Sequence, residues 1–239
     1  MDKLKLLSGT PIEFYDFYIY HPQLLDIAEI GEEKYNQYLS SILVDKQDLE
    51  IKDDEINNFQ FLLVICYQDP VFEKVFRESL SFFLTEDKND RFYLDYKNLV
   101  IKNFDNDSII NEKQFDEFKQ MIRKVNYLPE KKKSEEYNPA NDAAKKFIEK
   151  QKKKQKKYQE IKSKEEATLY DIVSAVAWKS HIGVKGVWNL TIFQLYDAFE
   201  RLNIIDHYDK TMYGLYSGTI DQKSVNVKNL NWIKKKDSD

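Results

Sequence analysis

The stretch Val187–Gly218, VWNLTIFQLYDAFERLNIIDHYDKTMYGLYSG, carries the densest helix signals in the chain. Thr191 and Gln194 stand three residues apart as a capping box, in which each side chain serves the backbone N–H that the other leaves open. Leu190 and Leu195 flank them where a hydrophobic staple sets the angle at which the chain runs into a helix. Ile192, Leu195, Tyr196, Phe199 and Leu202 then fall on one helical stripe, with Gln194, Asp197, Glu200 and Arg201 opposite. The pattern breaks at Asn203-Ile204-Ile205. A second helix is expected from Asp206, burying Tyr208, Met212, Leu215 and Tyr216 and stopping at Gly218. On this reading the stretch is an antiparallel helical hairpin.

Upstream of it, Thr168 caps a helix carrying Leu169, Ile172, Val173 and Val176. Downstream, Val225–Trp232 reads as a short docking segment before a frayed Lys234-Lys235-Lys236 end. Pro129–Glu166 has a different composition, with 13 Lys against 8 acidic residues. That is a net +5 within a chain of net −4, so the remainder carries −9. Its few apolar marks, Phe147, Ile148, Tyr158 and Ile161, predict a solvated connecting helix rather than a core element.

The first part of the chain mixes strand and helix signals. Leu4–Tyr20 reads as two or three short strands punctuated by Gly9-Thr10-Pro11. Pro22 opens a helix that Gly31 interrupts, and Asp53 or Asp54 is expected to cap a helix apolar on all sides, Phe59–Cys66. Asp69-Pro70 ends that helix and starts another, with Val71, Phe72, Val75, Phe76, Leu80 and Phe83 turned inward. Phe92–Phe104 reads as a hairpin turning at Lys97-Asn98. Asn111 with Gln114, and Ile110 with Phe115, repeat the cap and staple of the opening stretch. The fold class is therefore α+β and mainly α-helical, with small N-terminal β elements packed on helices. An α+β domain over 1–128 is followed by a charged linker over 129–166 and a helical domain over 167–239.

The inventory of chemistry is sparse. His21, His181 and His207 are scattered with no partner at ligand spacing, which favours structural roles over a metal site. Cys66 sits among apolar residues as a core filler and rules out an internal disulfide, being the only cysteine. No phosphate-cradling glycine loop, nucleophile elbow or paired-histidine zinc motif is present, and the chain has only 6 glycines. The acidic run Asp45–Glu55 lacks the spacing and the glycine of a calcium loop. No catalytic, cofactor-binding or metal-ligating residue is assigned, and a non-enzyme is expected. Lys152, Lys153, Lys154, Lys156 and Lys157 are the one cluster with a binding reading, toward nucleic acid or an acidic partner. Glu149, Gln151, Gln155, Gln159 and Glu160 dilute it, and no arginine lies nearby to read bases. A solvated helix face is the plainer account. No run of roughly 18 apolar residues predicts a membrane span, and Met1-Asp2-Lys3 does not open a signal peptide, so the host cytoplasm is expected.

Three stretches carry a resemblance: HPQLLDIAEIGEEKYNQYLSSIL at His21–Leu43, EEYNPANDAAKKFIEK at Glu135–Lys150 and VWNLTIFQLYDAFERL at Val187–Leu202. Each resembles proteins from the tail-morphogenesis modules of phages and prophages of low-GC Gram-positive bacteria, some of them known as tail assembly chaperones. The resemblance implies a cytoplasmic assembly factor whose partner is a tape-measure-type tail protein, or a virion structural component. It brings no functional residues with it. It also implies that short and long forms can arise by ribosomal frameshifting, and Lys131–Lys133 is a run that an A-rich slippery stretch can encode. The physical reading agrees, because 15 Phe, 16 Tyr and 3 Trp supply adaptable apolar surface for holding a helix. Self-association through the same surface is a second use for it.

Overall fold

The structure is a computed structural model that describes residues 3–46, 56–129, 167–221, 223, 225–226 and 231–233. The connecting helix read over 129–166, the Lys152–Lys157 cluster and the Lys131–Lys133 run lie outside these residues, Pro129 excepted.

The described chain is α+β and mainly helical. Helix α1 (Lys3–Ser8) leads into a hairpin of β1 (Ile12–Phe14) and β2 (Phe17–Ile19), then α2 (Leu24–Ile30) and α3 (Glu32–Leu43). Helices α4 (Asn58–Gln68) and α5 (Pro70–Leu84) follow. A three-stranded antiparallel sheet of β3 (Phe92–Asp95), β4 (Val100–Asn103) and β5 (Ile109–Ile110) comes next, in that spatial order. The chain continues through α6 (Glu112–Val125), α7 (Leu169–Lys179), α8 (Gly183–Val187) and α9 (Ile192–Tyr216).

Local chemistry sets most of these boundaries. Asn111 accepts from the Gln114 amide at 3.0 Å while Gln114 accepts in return from the Asn111 N–H at 2.9 Å, and the staple pair Ile110 and Phe115 is buried. Asp69 accepts from the Val71 and Phe72 amides at the start of α5, with Pro70 at the first helical position. Gly31, at φ 86, divides α2 from α3. The β3–β4 hairpin pairs Phe92 with Asn103 and Asp95 with Val100, so the turn falls on the expected Lys97-Asn98.

Four expectations are corrected. Leu4–Leu7 is helix, not strand: Leu6 faces the core, Leu4 faces out, and Gly9 at φ 70 ends the turn. The cap of α4 is Asn57, which forms a box with Gln60, so the helix begins at Asn58 and not after Asp53 or Asp54. Val71 on α5 points to solvent, 73% exposed. Residues 203–205 do not break the last helix. Neither Gly nor Pro is present there, and Asn-Ile-Ile costs a helix only a few tenths of a kcal/mol per residue, so α9 runs on for 25 residues. The helical hairpin is thereby replaced by one long helix, whose Tyr216 is 84% exposed rather than buried.

A phenylalanine cluster fills the centre of the fold. Phe115 lies 5.2 Å from Phe59, 5.9 Å from Phe76 and 6.1 Å from Phe118 between ring centroids, and all four are essentially inaccessible. The same continuous cluster takes in Ile172, Val176 and Ala177 of α7, Val187 of α8, and Ile192, Phe193 and Leu195 of α9. Described residues on both sides of 130–166 thus share one core.

Candidate functional site

The surface that stands out is built on the last three helices and on the way α2 receives them. Thr191 and Gln194 form the expected box, with the Thr191 amide donating to Gln194 Oε1 at 2.8 Å. Gln194 also reaches outside its own helix, donating from Nε2 to the Leu7 carbonyl at 2.8 Å. Gly9 passes so close that a Cβ there would stand 3.1 Å from Thr191 Cγ2. Backbone bonds then lock the segment preceding α9 to the start of α2. The Leu24 amide donates to the Leu190 carbonyl at 2.9 Å, Leu25 to Trp188 at 3.1 Å, and Ile192 to Pro22 at 2.9 Å. Tyr127 covers the first turns of α9, 5.1 Å from the Phe193 ring and 5.8 Å from that of Tyr196.

Between α2 and α7 this clamp leaves an apolar groove of about 150 Å³. Leu24 and Ile27 form its floor and Leu169 and Val173 one wall, while Ala28, Glu32, Tyr170 and Trp188 make the rim. Tyr170 is 75% exposed and Trp188 is 36% exposed. Farther along α7, Trp178 is 79% exposed. Lys179 at the end of α7 pairs with Asp206 of α9 at 2.8 Å, and Lys210 reaches the same carboxylate at 2.6 Å. The Lys179 and Lys210 ammonium groups hold the Asp206 carboxyl down to about 2. Past Asp206, α9 runs on for ten residues, roughly 15 Å. Ile204, Ile205, Tyr208, Met212 and Leu215 are half-buried there, whereas Tyr213 and Tyr216 face out. Ile220 folds back on Gly214, where a Cβ would stand 2.5 Å from Ile220 Cδ1, so the helix ends against its own continuation.

A second concavity, about 460 Å³, lies between the two β hairpins and is lined by Tyr18, Tyr20, Asp87, Arg91 and Asp105 among others. Its guanidinium is committed within the protein, Arg91 pairing with Asp105 at 2.5 Å and with Asp87. Cys66 is wholly buried, and burial pushes its thiol up to about 12, which matches the core-filler reading. No group of three or more His, Cys, Asp or Glu side chains among the described residues could hold a metal ion, and no described helix is long and apolar enough to cross a membrane. The expected lysine cluster falls outside the described residues. The groove has no sequence motif of its own. Its nearest signal is Trp188, an aromatic one residue ahead of the Asn189-Leu190 approach to the α9 cap.

His21 and His181 occupy contrasting settings. His181 is exposed in the turn after α7, whereas His21 is buried at the clamp, with neither ring nitrogen in a hydrogen bond of good geometry among the described residues. Burial lowers the His21 imidazole below its ordinary 6.5, and the nearby Thr10 backbone opposes this only in part. The unfolded chain takes up a proton near 6.5 that the folded one refuses, so folding stability is full above that value and declines as pH falls through it. Denaturant melts across this range are expected to show the decline in the natural chain and a flatter profile in His21→Gln. Equal profiles would contradict the buried neutral imidazole.

Residues 152–237 match the family model of the YomV second domain, a family associated with Bacillus phages and prophages. The matched stretch contains α7, α8 and α9 together with their exposed aromatics. This fits a phage-related protein. No curated protein and no solved structure matches the chain.

Proposed function

We propose that this chain is a non-enzymatic factor of phage tail morphogenesis, an assembly chaperone that holds a long helical protein of the tape-measure type. The observation that carries the reading is the exposure of Tyr170, Trp178, Tyr213 and Tyr216, each 75–84% accessible, on helices within the phage-associated match. Each such ring can bury on the order of 150–250 Å² against a partner. Exposed rings of this kind on capped helices suit an amphipathic helix laid alongside. The three stretches that resemble tail-module proteins lie in both halves of the chain and support the same role. The phenylalanine core and the clamp then serve to hold this surface rigid.

Co-expression with a long helical protein of the tape-measure type tests the proposal. The partner is expected in the soluble fraction with this chain and in the pellet without it. A partner equally soluble in both cases would overturn the chaperone role. Recovery of this chain in stoichiometric amount from purified particles would make it a virion component instead.

A further inference from the structure

We propose that the groove between α2 and α7 is a docking site for a basic amphipathic helix of another protein, which inserts one apolar side chain and sets Lys or Arg residues against Glu29 and Glu32. This rests on the reading of the chain as a holder of helices and adds where the partner is held and what chemistry it carries.

Size and lining define the inserted group. About 150 Å³ lined by Leu24, Ile27, Leu169 and Val173 gives room on the order of one aliphatic or aromatic side chain. Trp188 and Tyr170 stand at the rim, where they can close over such a group. Charge defines what surrounds it. Glu32 lines the groove, Glu29 and Glu33 are exposed and adjoin the lining residues Ala28 and Glu32 in the chain, and among the described residues no Lys or Arg lines it. On the same two helices, Asp26 of α2 is paired with Lys88, and Lys34 of α3 with Glu78 at 3.1 Å. Asp171 accepts from the Thr168 amide at 2.9 Å.

The test uses the full chain with Trp178→Phe and Trp232→Phe, which leaves Trp188 as the only tryptophan. It is titrated with a synthetic helical peptide of about 18 residues, long enough to hold a helix in water. The peptide carries leucines on one face flanked by lysines, and a matched peptide carries glutamates instead. A saturable blue shift of Trp188 emission is expected with the lysine peptide, with about tenfold weaker binding of the glutamate peptide. Glu32→Lys should reverse that preference, and Ala28→Phe, which fills the rim, should abolish the shift. Far-UV circular dichroism confirms that both variants are folded. The proposal is overturned by an absent shift, by equal affinity for the two peptides, or by a shift driven by protein concentration alone, which would signal a second copy. It is also overturned if the peptide binds only after Lys152, Lys153, Lys154, Lys156 and Lys157 are changed to glutamine, since the chain's own segment would then be the occupant. Peptide binding without any effect on the tape-measure-type protein would leave the groove standing and remove the chaperone role.

Discussion

Replacing Leu195 by alanine is expected to destabilise the protein by about 2–5 kcal/mol. Leu195 is fully buried one turn into α9, beside the capping box and behind the backbone bonds that join Leu190 and Trp188 to α2. In a close-packed core the groups around a truncated leucine fill the space it leaves only in part. Phe199, only half-buried, should lose less on truncation, and Gln194→Ala should cost about 1–2 kcal/mol through the cap and the bond to Leu7. Denaturant melts of the three variants check the order. Equal losses from all three would mean that α9 buries a different face.

The second large effect is expected at Lys119. This residue is 8% exposed, and its ammonium pairs with the buried Asp45 carboxylate and donates to the Val44 carbonyl at 3.1 Å, tying the end of α3 to α6. Lys119→Met keeps the apolar stem but removes this ammonium from the buried carboxylate, at a cost of about 3–5 kcal/mol. Adding Asp45→Asn should recover part of the loss, because a buried carboxylate that has lost the Lys119 ammonium costs more than the neutral amide in its place. The double variant measured in the same melts decides this. If it is as unstable as Lys119→Met alone, the pair acts through packing and not through charge.

Leu195 and Lys119 also mark how far the sequence reaches. Helix caps are written in residues three apart, so Thr191 with Gln194, Asn111 with Gln114 and the Asp69-Pro70 junction are legible from the residues alone. The Gly31 break and the β3–β4 turn are legible for the same reason: a single residue or dipeptide determines them. Weak signals mislead where they have to be weighed. Asn203-Ile204-Ile205 has the look of a break because its periodicity lapses, yet nothing in it forbids helix, and α9 continues. Leu4–Leu7 is too short for its period to decide between strand and helix. The groove and the Lys119–Asp45 pair lie beyond sequence reading altogether. The groove exists because the Leu24 amide meets the Leu190 carbonyl, a contact between residues far apart in the chain, and no local pattern encodes that.

The same contact gives the surface its character. A chain with many aromatic residues can hide nearly all of them, as the cluster around Phe115 does. The last helices instead leave Tyr170, Trp178, Tyr213 and Tyr216 outside, on elements fixed by caps, backbone bonds and the Lys179–Asp206 pair. Exposed apolar groups on a rigid support lose little conformational entropy on binding, which is the physical requirement for holding a helical partner. Gel filtration of the co-expressed pair tests this most directly. This chain and the tape-measure-type protein are expected to elute together in one complex, and the complex is expected to dissociate when Trp178 and Tyr213 are both changed to serine while the fold persists. Separate elution of the natural pair, or a complex indifferent to both substitutions, would contradict it.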